Sequence, residues 1–162
     1  MVKKRIVELI YNEYKSKEEL SAQEQILIEA ASKSSLNAYS PYSGFSVGAA
    51  VMLDTGEIIT GNNRENAAFP AGICAEHSAI ACAGSNYPGS AITSLAICAR
   101  KKKILTDEPV SPCGKCRQVI SEEEDRSGKQ IRIILHGVSR TLVIDGIKNL
   151  LPLHFSSSAI SY

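Results

Sequence analysis

Apolar runs of strand length alternate with segments whose apolar residues recur at helical spacing. Phe45 to Leu53 reads as a strand, Asp54-Thr55-Gly56 as its turn and Glu57 to Thr60 as the returning strand. Ile92 to Ala99 is a strongly apolar strand, and two more fall near 131–136 and 141–145. Ser21-Ala22-Gln23-Glu24 is a capping box that starts a helix. Ile26, Ala30, Ser34 and Ala38 give that helix a small, apolar stripe at intervals of four, and Ser40-Pro41 stops it. Further helices are predicted over 75–84 and 113–124, and a short one over 146–151. Residues 61–73 and 100–112 read as loops. The run Arg5 to Tyr11 is too short for period to decide, and we read it as an extra edge strand.

After the first helix the order is β-β-α-β-α-β-β. That pattern predicts an α/β fold of three layers, a mixed sheet of about five strands with helices on both faces and right-handed crossovers. At 162 residues the chain fits one domain with a sizeable core. Its 18 basic and 17 acidic residues leave no electrostatic footprint for nucleic acid or a membrane surface. The basic start of the chain is interrupted by Glu8, Asn12, Glu13 and Lys15, so it reads as neither a signal peptide nor a membrane span. Five cysteines without an export signal suggest a reducing, cytoplasmic setting, where grouped cysteines favour metal or redox chemistry. Cys82 and Cys98 lie in apolar runs and read as small buried hydrophobes.

The other three cysteines carry the chemistry. Cys74-Ala75-Glu76 and Pro112-Cys113-Gly114-Lys115-Cys116 both fall where a loop enters a helix, and neighbouring parallel strands would bring those helix starts together. Cys113 and Cys116, three apart, share a helix face and can reach one ion. A CxxC pair alone also suits a thioredoxin-like dithiol, which needs no third cysteine and no carboxylate. A structural zinc ribbon would need a second CxxC or a histidine pair, and His77, His136 and His154 lack that spacing. Three thiolates leave a tetrahedral zinc with one open position, which predicts catalytic zinc and hydrolysis. Glu76 can face the same cavity as Cys74 if the cysteine is pre-helical and the glutamate lies in the first turn.

These motifs resemble those of the zinc deaminases, with a P-C-x-x-C segment and an acid/base glutamate. More closely, the chain resembles the cytidine deaminases of pyrimidine salvage. The matching segments are Ser40-Pro41-Tyr42-Ser43-Gly44-Phe45, Gly61-Asn62-Asn63-Arg64-Glu65-Asn66, Ser111 to Val119 and Leu150 to Phe155. The resemblance covers about 21–155, which leaves 1–20 as an extension expected to pack on a 21–162 domain. It implies one zinc per chain on Cys74, Cys113 and Cys116, and conversion of cytidine and deoxycytidine to uridine and deoxyuridine plus ammonia. It also implies that Glu76 moves the protons, that Asn63 and Glu65 hold the ribose, and that Phe45 packs on the base. The backbone at Ala75 and Ser111 would bond the pyrimidine edge. A homotetramer is implied too, with Phe69 and Phe155 reaching a neighbouring site.

Without the zinc motif, Asn63 and Glu65 would read as loop polarity and Phe45 as a strand hydrophobe. His77 stands where many three-cysteine relatives carry Arg, and we expect it to donate a hydrogen bond to a zinc-bound sulfur. Phe69 stands where a Tyr is frequent, so a hydroxyl is lost there. The rival readings are a blasticidin-S-type deaminase, a nucleic-acid deaminase and a non-catalytic zinc-stabilised module. The first would lack the Asn-x-Glu loop. The second would want a basic, aromatic groove, and Arg100 to Lys103 is the only basic cluster outside the N-terminus, ordinarily a solvated loop. The intact Glu76 argues against the third.

Overall fold

The computed structural model describes residues 1–160 and builds them around one mixed sheet. Its strands are β1 (Asn12–Tyr14), β2 (Phe45–Leu53), β3 (Ile58–Asn62), β4 (Ile92–Lys101), β5 (Ile104–Leu105), β6 (Arg132–His136) and β7 (Thr141–Asp145). The helices are α1 (Ala22–Ser35), α2 (Ala75–Asn86) and α3 (Gly114–Ser127). The sheet order is β1-β7-β6-β4-β2-β3, with β5 paired to β4. Only the β4–β6 pair is parallel.

Side chains alternate across the sheet with the two-residue period of a strand, so each strand feeds two cores. Val51, Leu95, Ile97, Ile133 and Leu135 pack with Ala75, Ala79, Ile80 and Ile120 of α2 and α3. Ala50, Ala96, Cys98, Ile134 and Val143 pack with Leu27, Ile28 and Ala31 of α1. The three-layer α/β expectation therefore holds. The five longer strands are those expected, and β1 and β5 bring the sheet to seven.

The differences are local and have causes. The N-terminal strand lies at Asn12–Tyr14, against the free side of β7, and not at 5–11. Residues 1–11 have no regular structure and are exposed. In α1 the buried face is Leu27, Ile28, Ala31, Ser34 and Ser35, and Ile26 is exposed. The helix also ends at Ser35, before Ser40-Pro41. Segment 146–151 forms a single 3-10 turn, Ile147–Asn149, not a regular helix. Cys98 is buried as expected, but Cys82 is exposed on the outer side of α2.

Candidate active site and metal centre

Strands β3 and β4 both run antiparallel to β2, so they finish on one edge of the sheet, where α2 and α3 begin. Gly61 lets α2 sit directly on β3: a side-chain carbon there would lie 2.6 Å from the carbonyl oxygen of Ala75, and nearer still to the Ala79 amide. That contact fixes the first turn of α2, which carries the site.

Cys74 occupies the N-cap of α2 and Cys113 the N-cap of α3, both with extended backbone. Cys116 lies in the first turn of α3 and is fully buried. The three sulfurs lie within 4.8 Å of one another, with Cys74 Sγ 3.8 Å from Cys113 Sγ. Zinc–sulfur bonds of about 2.3 Å in a tetrahedron place sulfurs about 3.8 Å apart, so the residues present fit a zinc ion. A hydrogen bond with the Cys116 thiol is the chief cause that lowers the Cys74 thiol to about 6. The same contact, with burial, pushes Cys116 upward. A set that sheds a proton this readily suits a divalent cation, and no fourth Cys, His or carboxylate joins the cluster among the described residues.

Glu76, the second residue of α2, is 5% exposed. Burial raises its carboxyl above the ordinary 4.5, so the group holds a proton at higher pH than a solvated glutamate. It lines a cleft of about 730 Å3 together with Cys74, Cys113, Phe45, Asn63 and Glu65. Ser111 and Phe69 also line it. Ala75 is fully buried behind the cleft, in the α2 core. Phe155 is 61% exposed, and its carbonyl accepts a hydrogen bond from Gln118 Nε2 at 2.8 Å. No hydrogen bond joins His77 to a cysteine sulfur among the described residues, and its Nδ1 is buried without a partner.

The Asn63-x-Glu65 pair is tied to the strand-entry segment. Asn63 Oδ1 accepts from the Val47 amide at 2.7 Å and Nδ2 donates to the Phe45 carbonyl at 2.9 Å, which settles the amide orientation. One N–H and one lone pair of the amide stay free. Glu65 accepts from the amides of Tyr42 (2.9 Å) and Ser43 (3.2 Å) and from the Ser43 hydroxyl. The Ser43 hydroxyl is the main cause that lowers its carboxyl below the ordinary range. Ser43 was not a sequence-level candidate, although it sits inside the Ser40-to-Phe45 motif. Tyr42, equally unforeseen, packs edge-on against Phe69 with ring centroids 6.0 Å apart.

The family model described as "Cytidine and deoxycytidylate deaminase zinc-binding region" matches residues 21–127. A cytidine deaminase of Sporosarcina psychrophila is 38% identical over 136 residues, which cover 84% of this chain and 93% of that protein. One of Halalkalibacterium halodurans is 41% identical over 98 residues, covering 60% of this chain and 70% of the relative. The crystal structure of cytidine deaminase from Burkholderia pseudomallei superposes with a TM-score of 0.68 at 32% identity, over 80% of this chain and 97% of that one. The matched region contains the three-thiol cluster and the buried carboxyl of Glu76, and the chain belongs to the cytidine and deoxycytidylate deaminase family.

Proposed function

We propose that this protein is a zinc-dependent cytidine deaminase, converting cytidine and deoxycytidine to uridine and deoxyuridine with release of ammonia. The observation that carries the reading is a buried carboxyl, Glu76, in one cleft with three clustered thiols and the Asn63–Glu65 pair. Zinc held by Cys74, Cys113 and Cys116 supplies, when bound, a Lewis acid that makes water a nucleophile at neutral pH. Glu76 takes the proton of the attacking water and delivers it to N3 as the new C–O bond forms at C4. It then carries the second proton to the amino group, so that the C4–N bond breaks and ammonia leaves. Burial holds this carboxyl above its ordinary range, which favours its protonated form and suits a group that must deliver protons as well as take them.

Asn63 and Glu65 face the sugar. Three acceptor positions of Glu65 are filled from Tyr42 and Ser43, which leaves about one of its four for a ribose hydroxyl. Phe45 packs on the base, while the backbone at Ala75 and Ser111 meets the pyrimidine edge. His77, next to Glu76 in the chain, would serve the thiolate cluster by donating a hydrogen bond to a sulfur, and its buried Nδ1 has no other partner among the described residues. Residues 1–20 form an extension that carries β1 to the sheet edge, outside the matched region. A homotetramer, with Phe155 completing a neighbouring cleft and Phe69 meeting a neighbour from the mouth of its own, is supported by their exposure of 61% and 76%. The five free cysteines support a reducing, cytoplasmic setting. No helix among the described residues is long and apolar enough to cross a membrane.

The test is the fall in absorbance on deamination of cytidine and of deoxycytidine, with zinc measured in the same preparations. Glu76→Gln is expected to retain one zinc per chain and to lose about 10²- to 10⁴-fold in kcat. A zinc-loaded wild type inert towards both nucleosides would end this reading.

A further inference from the structure

The run Arg100-Lys101-Lys102-Lys103 lies outside the catalytic cleft, and its charges are gathered, not dispersed. Arg100, Lys102 and Lys103 line a second cavity of about 660 Å3 together with Ser35, Ser40 and Ser46. No aspartate or glutamate lines it. The volume is within the range of small-molecule sites.

Arg100 is held in place by neutral partners. Its Nε donates to Ser35 Oγ and its Nη2 to Ser32 Oγ, both at 2.8 Å, and Nη1 donates to the Lys103 carbonyl at 3.1 Å. Arg126, Arg132 and Arg140 each pair with a carboxylate, whereas Arg100, like Arg5, Arg64 and Arg117, pairs with none among the described residues. The guanidinium therefore keeps an uncompensated charge and two unengaged N–H groups. The hydroxyls of Ser40 and Ser46 bond to each other at 3.0 Å, which leaves one O–H free to donate on the same wall.

Lys102 and Lys103 make the two-residue turn between β4 and β5, and both have left-handed backbone, with φ of 51° and 68°. Such a turn is best served by Asn-Gly, and side-chain-bearing residues there carry backbone strain, which is commoner at functional positions. The chain thus keeps two cations at unfavourable positions on the rim of a cavity that already holds a third. An arginine fork, two ammonium groups and one free hydroxyl are a donor set for a tetrahedral oxyanion. An anion there would also relieve repulsion among three like charges.

We propose that this cavity binds a phosphate group, either free or carried by a nucleotide. The proposal does not depend on the deaminase reading. The site backs onto the catalytic cleft through the segment 40–46, whose Tyr42, Ser43 and Phe45 line the other side.

Isothermal titration of the zinc-loaded protein with inorganic phosphate, with ATP and with single-stranded DNA of two lengths tests it. One saturable site per chain is expected, weakened about tenfold or more in Lys102→Gln/Lys103→Gln. Lys101→Gln, whose side chain is outside the cavity, should bind as the wild type does. Tighter binding of ATP than of phosphate assigns a nucleotide as the source, and equal binding assigns the free anion. Lysine acylation of the wild type, read by mass spectrometry, gives a second measurement free of folding defects. Phosphate should protect Lys102 and Lys103 but not Lys101. The proposal is overturned if neither phosphate nor ATP saturates below about 10 mM. Equal weakening by Lys101→Gln, or binding to DNA that strengthens with length and exceeds that of ATP, overturns it as well.

Discussion

At the level of single residues, burial and hydrogen-bond partners together decide which groups ionise. Cys98 is sealed between α1 and the sheet, and its thiol is pushed up to about 12, so it stays protonated and inert. Cys74, at an N-cap beside two other thiols, is pulled to about 6 and is the first to ionise. His136 shows the same physics in a stability setting. Its ring is half-buried against Thr141, with Nδ1 2.8 Å from Oγ1, and desolvation followed by the charge of Lys17 holds it below the ordinary 6.5. The unfolded chain therefore takes up this proton first. Stability is unaffected above pH 6.5 and falls as pH drops from 6.5 towards the lower folded value. His136→Asn should lose that slope, so that melting curves of the two proteins converge between pH 7.5 and 5.5, and parallel curves would exclude the effect. The clustering of Cys74, Cys113 and Cys116, with Glu76 in the same cleft, was legible because metal chemistry demands particular residue types at particular spacings. Ser43 was not legible, because its grip on Glu65 depends on a loop folding back across 22 positions. Cys82 misled for a geometric reason: a helix turns one position of any apolar run outward, and the buried positions of α2 are Ala75, Glu76, Ala79, Ile80 and Ala83.

At the level of elements, the site depends on where α2 begins, and α2 is seated by the absence of a side chain at Gly61. A methyl group there would collide with helix backbone, which cannot rotate away. Gly61→Ala is expected to cost about 1–3 kcal/mol and to weaken zinc retention, because Cys74 moves while Cys113 and Cys116 stay with α3. Gly84, near the end of the same helix, has open space around it. Gly84→Ala should leave zinc unchanged and raise stability by about 0.5–1 kcal/mol. Chemical denaturation with parallel zinc analysis separates the two, and equal zinc retention would show that Gly61 does not seat the site. The strands were legible because two buried faces make them continuous apolar runs. The face of α1 was not. Residues at intervals of four drift by about 40° per step, so a true helical face also needs intervals of one and three, as in Leu27, Ile28, Ala31, Ser34 and Ser35. Strand β1 left no periodic signal either, since three residues pairing with β7 are ordered by that edge and not by their own pattern.

At the level of the whole molecule, exposed apolar side chains include residues at the two ends of the chain and at the mouth of the cleft, besides single ones such as Leu36, Ile104 and Val138. Val2, Ile6, Val7, Leu9 and Ile10 are more than half exposed, as are Leu153, Phe155 and Phe69. The proposed homotetramer would give such side chains partners across subunits. That reading also says that Phe155 serves a neighbour's cleft and not its own, which functional complementation can decide. Phe155→Ala should raise KM for cytidine with kcat far less affected, whereas Glu76→Gln removes turnover itself. When the two variants are coexpressed and mixed assemblies are isolated, some clefts combine an intact Glu76 with an intact Phe155 from the adjoining chain. Random mixing of equal amounts makes that about one cleft in four. Activity at low cytidine should then exceed the average of the two parents, and the excess should vanish when separately purified variants are mixed without subunit exchange. Light scattering fixes the assembly state of each preparation. Assemblies that stay at the parental average would show that each cleft is complete within its own chain, and a monomer at working concentration would remove the shared site altogether.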